Sequence, residues 1–209
     1  KLSFALRCIT DTERRSGSMM KKRLTSLALS AMMVLSMVPA TAFAAKDAGT
    51  PPTYNSATGC YEISTPAQLL YLSGKWKDGA PRDGHYVLTA DIDMSGVKGF
   101  KPIASKKAEG FTGTFDGQFH SIKGLRVEYE KKYAGLFGYV GNQNDQAYIK
   151  NVALLDCYVT GQQNVGALAG VNYGTITGCA VTGEVKCLDL SNSHTAGGIC
   201  GKLKEGEGP

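Results

Sequence analysis

The chain has 209 residues, 43% of them apolar. That is enough to bury a core, and it argues against a chain disordered throughout. The first 44 residues hold 7 Lys/Arg and 2 Asp/Glu, and residues 45–209 hold 16 of each, so the formal charge of +5 belongs to the N-terminal segment. A neutral remainder argues against nucleic acid as a partner, because phosphate binding needs an excess of Lys/Arg on one face.

Residues 1–18 show no apolar periodicity and read as sequence upstream of the true start, so Cys8 among them carries no structural meaning. Met19-Met20 is followed by Lys21-Lys22-Arg23, an apolar stretch over 24–38, and small residues ending at Ala42-Phe43-Ala44. Basic start, short apolar run and small residues at the −3 and −1 positions make 19–44 a secretory signal, with cleavage expected after Ala44 and the alternative site at Ala40-Thr41-Ala42. A membrane anchor is the weaker reading: the run is short for a ~30 Å hydrocarbon core and contains Ser26, Ser30 and Ser36. No membrane span is expected in the mature chain. Residues 45–60 read as a linker, and 61–209 as the folded domain.

Thr65-Pro66-Ala67-Gln68 places a capping Thr, a first-turn Pro and a Gln in capping-box order. Leu69, Leu70 and Leu72 follow, and Gly74 suits a left-handed end, so a short amphipathic helix is expected over 66–73. Residues 86–94 read as a strand on which Asp91 and Asp93 share a side. Paired carboxylates suit glycoside hydrolysis or calcium, but Asp is also common as a turn cap, and that is the expected role. Asp116-Gly117 reads as a turn. His120 has no Ser, Cys or carboxylate motif marking a catalytic partner. Lys106-Lys107 and Lys131-Lys132 read as solvated loops or charges that protect a strand edge.

Two patterns then recur. An apolar hook runs Ile122-x-x-Leu125-x-Val127, Ile149-x-x-Val152-x-Leu154 and Ile176-x-x-Cys179-x-Val181, its anchors 27 residues apart both times. A Gly-bracketed apolar pair runs Gly135-Leu136-Phe137-Gly138, Ala167-Leu168-Ala169-Gly170 and Gly198-Ile199-Cys200-Gly201. Such a period marks a solenoid, and the two-residue spacing at the end of each hook is strand parity. Thr160-Gly161, Tyr173-Gly174 and Thr182-Gly183 read as the intervening turns. The expected fold is all-β: a parallel β-helix of about four coils with a short N-terminal capping helix. Columns of Ile122, Ile149 and Ile176, and of Leu136, Leu168 and Ile199, are expected, with Cys179 beneath Leu125 and Val152. The sequence stops just after Gly201 with no second lid, so a C-terminally truncated solenoid is expected, with self-association through its open end.

Cys60, Cys157, Cys179, Cys187 and Cys200 are odd in number and scattered, which suits small buried residues better than a disulfide framework. His85, His120 and His194 are too far apart for a zinc site, and the glycines lack the order of a phosphate loop. No cofactor, metal or catalytic residue is expected. Tyr158 and Tyr173 are the candidate outward-facing rings for stacking on a ligand.

Gly135-Leu136-Phe137-Gly138 resembles the signature of the GLUG-motif repeats of bacterial secreted and surface proteins, adhesin-like proteins and some IgA-specific peptidases among them. Residues 61–70, 86–93, 111–117 and 120–122 are similar to that family's surrounding text, so the resemblance covers 61–201. Ala167 and Ile199 depart from the signature's first Gly and its Leu. The resemblance implies a secreted or cell-surface module, carries over no catalytic residues and names no ligand. For a module that displays an extended face, the expected partner is a host or cell-surface glycan or protein. The alternatives are a polysaccharide-active β-helix enzyme, by analogy of fold, and a spacer in a secreted peptidase.

Overall fold

The computed structural model describes residues 49–74, 80–189 and 195–204. The expected signal segment, His194 and residues 205–209 lie outside them.

Residues 49–60, expected as a linker, contribute to the start of the fold. Strands β1 (Thr53–Asn55) and β2 (Cys60–Ile63) form an antiparallel hairpin. Helix α1 (Pro66–Tyr71) follows, two residues shorter than expected. Thr65 Oγ1 accepts from the Gln68 N–H at 3.3 Å, while Gln68 Oε1 accepts from the Ser64 N–H at 2.8 Å. The capping box is thus closed one residue further back than usual. Ala67, Gln68 and Leu69 are buried, so the helix covers the first coil as a lid. Gly74 takes the left-handed conformation expected of it, with φ 86°.

Four coils follow. The first holds β3 (His85–Leu88) and β4 (Ile92–Asp93), the second β5 (Thr114–Asp116), β6 (Ser121–Lys123), β7 (Arg126–Ala134) and β8 (Phe137–Val140). The third holds β9 (Tyr148–Lys150), β10 (Ala153–Gly166) and β11 (Ala169–Asn172). The fourth holds β12 (Thr175–Thr177), β13 (Ala180–Cys187), β14 (Ala196–Gly197) and β15 (Cys200–Leu203). Stacking the coils builds three sheets: β1-β2-β3-β5-β9-β12, β4-β6-β10-β13 with β7 and β14 also on β10, and β8-β11-β15. Apart from the hairpin, every pairing is parallel. This is the expected parallel β-helix of about four coils.

Apolar residues point inward in ladders. Tyr61, Tyr86, Phe115, Ile149 and Ile176 pair in series down the first sheet. Ile92, Ile122, Leu154 and Val181 do so down the second, and Val127, Val159 and Val185 beside them. Members in the first three coils are fully buried, each stabilising the fold by about 1.5–3 kcal/mol, whereas Ile176, Val181 and Val185 of the fourth are half-buried.

Several expectations need correction. Residues 86–94 are two strands separated by a corner at 89–91. Ile149 stacks on Ile176 as expected, but Ile122 stacks on Leu154, and Leu125 lies over Cys157 rather than over Val152. The cause is length. Phe115 and Ile122 are seven residues apart, where the equivalent pairs Ile149/Leu154 and Ile176/Val181 are five apart, so the equal hook spacing is a coincidence of a longer corner. Thr160-Gly161 and Thr182-Gly183 lie inside β10 and β13 instead of in turns. Gly183 takes φ 135° at the bulge where β13 falls out of step with β10.

Candidate functional site

The repeat glycines serve packing. A Cβ on Gly135 would sit 2.6 Å from the Gly166 carbonyl oxygen, and one on Gly170 would sit 2.7 Å from the Tyr133 backbone, so at these bends adjacent coils meet main chain to main chain. Leu136 and Leu168 are fully buried between the bracketing residues, with Ile199 next in the column, as expected. Phe137 pairs with Ala169, which pairs with Cys200, and Phe137 also meets Phe111 and Phe115 in the core. Ala167 keeps a buried methyl where the other copies have Gly135 and Gly198; Gly138 and Gly201 close their copies as Gly170 does. These twelve positions build the corner and offer no chemistry of their own.

The corner aspartates are tied to backbone. Asp91 Oδ1 accepts from the Ser121 N–H at 2.7 Å and the Ser121 hydroxyl at 3.1 Å, and lies 3.5 Å from His120 Nδ1. Asp93 Oδ1 accepts from the Ser95 N–H at 2.9 Å. Those hydrogen bonds, from Ser121 and Ser95, hold both carboxyls below the ordinary carboxylate range. A general acid needs the opposite shift. In the Ser121, Asp91 and His120 group the carboxylate stands in the middle, so the imidazole is not placed to take the serine proton, as a nucleophilic triad requires. Partial burial pushes Asp116 upward, but the Gln118 N–H, the Asn151 amide and Lys150, 3.2 Å away, outweigh it and leave it lowered.

The outer face of β7, β10 and β13 carries a polar grid. Arg126, Tyr158 and Glu184 stand in register, as do Glu128, Thr160 and Lys186. Arg126 bonds Glu128 at 2.7 Å and Lys186 bonds Glu184 at 2.7 Å, which raises both cations and lowers Glu128. The Arg126 guanidinium lies 4.4 Å from the centre of the Tyr158 ring, and Lys186 Nζ lies 5.4 Å from it. Tyr158 therefore sits half-buried between two cations of neighbouring coils. Below it the grid opens into a groove lined by Lys101, Glu128, Glu130, Lys131, Thr160 and Leu188. The i, i+2 alternation Arg126/Glu128 and Glu184/Lys186 was present in the sequence as a signal of such a face.

Tyr173 lies elsewhere, half-buried at the turn after β11. Its neighbourhood is a tyrosine cluster in which Tyr133 and Tyr139 rings lie 4.6 Å apart. Burial, then the hydrogen bond with Tyr133, pushes the Tyr139 phenol well above its ordinary value. The structure does not bring Tyr158 and Tyr173 to one face. Cys60, Cys157, Cys179, Cys187 and Cys200 are free thiols, of which Cys157 is buried as expected and the other four are half-buried; burial pushes the Cys157, Cys179 and Cys200 thiols up. Lys106 bonds Glu109 at 3.1 Å on an exposed turn. Among the described residues no group of three His, Cys, Asp or Glu is placed to hold a metal ion, and no helix is long and apolar enough to cross a membrane.

The sequence reading missed Phe119. It is 85% exposed at the tip of the longer corner, between β5 and β6.

No family model matches the chain. It is 33% identical over 132 residues to Halomucin of Haloquadratum walsbyi, spanning 60% of this chain and 1% of that protein. It is 33% identical over 130 residues to a protein of Evansella cellulosilytica provisionally named a Gly-rich membrane protein, spanning 58% of this chain and 14% of that one. The chain thus matches a small part of each relative's length. A crystal structure from Bacteroides ovatus, of a protein provisionally named an immunoglobulin A1 protease, superposes over 73% of this chain and 63% of its own, with a TM-score of 0.39 and 17% identity.

Proposed function

We infer that this chain is a display module of a secreted or cell-surface protein: a GLUG-type repeat solenoid that presents its lateral face for adhesion to glycan or protein and carries no catalysis. The observation that carries the reading is the β7-β10-β13 face. Its charges are compensated in pairs within β7 and within β13, on either side of Tyr158, and its coils stack without a gap, so adding coils extends one continuous surface. A relative named as a membrane protein is in keeping with a surface location. The lowered, backbone-tied aspartates support a structural use for the carboxylates that would otherwise suggest hydrolysis.

Beads coated with the full chain should adhere to films of cell-wall polysaccharide or surface glycoprotein, and Arg126→Ala with Lys186→Ala should weaken adhesion severalfold. Beads that hold no better than albumin-coated controls on every film would sink the reading. N-terminal sequencing of exported protein should begin at Ala45, and export with residues 19–44 retained would overturn the assignment of that segment.

A further inference from the structure

The corner at 117–120 carries an aromatic ring that packing does not explain. Gln118 has φ 46° and Phe119 φ 64°, and the His120 N–H donates to the Gly117 carbonyl at 2.8 Å. Two central residues with positive φ closed by that bond are the signature of a type I′ turn, where Asn-Gly is the favoured pair. Here a bulky aromatic occupies the position that wants glycine, a strained choice for an L side chain. Its ring does not compensate by burying itself, since Phe119 is 85% exposed. The turn is also two residues longer than the equivalent corners of the next two coils. Strain, exposure and insertion coincide at one residue: the Phe119 N–H donates to the Asn151 carbonyl of the next coil at 2.8 Å, so the backbone of the turn serves the stacking while its ring is left to solvent.

The surroundings select the partner. Phe119 has polar neighbours along the chain: Gln118 before it is exposed, and His120 and Ser121 after it contact Asp91, whose side chain is 73% exposed. Asp116 of the same corner is neutralised by Lys150, and Asp91 Oδ1 is engaged by the Ser121 N–H and hydroxyl. A lipid surface or protein hot spot asks for a contiguous apolar patch. A single ring framed by carboxylate and amide groups instead matches a sugar ring, which has one apolar C–H face and hydroxyls around its edge.

We propose that the 117–120 corner is a binding site for neutral pyranoside residues, with Phe119 as the stacking platform and Gln118 and Asp91 as hydrogen-bond partners for ring hydroxyls. This rests on the display reading above and adds to its lateral face a second, separate site with a stated ligand class.

The test is affinity electrophoresis of the full chain in gels holding dextran, galactomannan or barley β-glucan, followed by titration with the matching oligosaccharide. At least one should retard the chain. Phe119→Ala should weaken that binding at least tenfold, Phe119→Trp should preserve it, and 0.5 M salt should leave it within twofold because no ion pair is involved. Phe119→Gly should abolish binding while raising the thermal midpoint, separating the ring's role from the fold's. Retardation unchanged in Phe119→Ala would place the sugar site elsewhere and overturn the proposal. So would the absence of retardation by all three polymers, or loss of binding to phosphatidylcholine vesicles or a protein film, with sugar binding unaffected, in Phe119→Ala. Because bead adhesion through the β7-β10-β13 face is measured separately, adhesion that survives these failures leaves the display reading standing.

Discussion

Asp91, Asp93 and Asp116 direct their charge at N–H groups where the chain changes direction, and their carboxyls lie below the usual range. The sign of the resulting pH effect follows. A group whose folded pKa is depressed contributes stability above its unfolded value, near 3.9 for Asp, and loses it as pH falls through the folded value. The thermal midpoint should therefore be flat from neutral pH to about pH 5 and decline below about pH 4. In Asp91→Asn with Asp116→Asn that decline should be shallower, and an unchanged acid limb would mean that these contacts do not form in solution. At Phe119 a glycine would relieve the left-handed strain, offset in part by its own chain entropy, so the variant should gain up to about 1 kcal/mol in urea denaturation. Such corners hide from sequence reading because positive φ falls on Gln118, Phe119, Tyr133, Asn151, Asp156 and Asn164, with no glycine to announce them.

The strands were more legible than their register. Alternation in Leu125-Arg126-Val127 identifies an inward and an outward face, and both valine and leucine are fully buried. Which coil each residue stacks upon depends on how many residues the corners consume, and parity is silent about that. Gly161 and Gly183 misled as turn residues because a strand also takes glycine where the next coil presses against it. The ladder Ile92, Ile122, Leu154 and Val181 offers a direct check of the register. Leu154→Ala, at a fully buried site, should cost about 3 kcal/mol, and Val181→Ala, half-buried in the same column, under about 1.5 kcal/mol. Equal costs, from urea midpoints at constant m-value, would contradict the gradient of burial.

Over the whole described molecule, that gradient should appear as a gradient of local stability. The lid formed by α1 and three coils of closed ladders protect one end, while the inward columns of the fourth coil are half-buried and Leu203 is 74% exposed. Amides of 121–172 should exchange last and those of 175–203 first, since local opening follows buried apolar contact. Uniform protection to residue 203 in a monomeric sample would show that another contact covers this coil. The repeat architecture and the N-terminal lid were legible because solenoids repeat their packing in the sequence itself. The proposed sugar site was not, because it stands where one coil differs from the rest.

The two residues that lengthen the 117–120 corner leave Ile122, Leu154 and Val181 aligned, so the corner's length is independent of the stacking beneath it. A lineage of such coils can vary its corners by insertion while its strands stay nearly constant, much as antibodies vary loops on a fixed framework. The same independence makes this corner a place to graft foreign peptides.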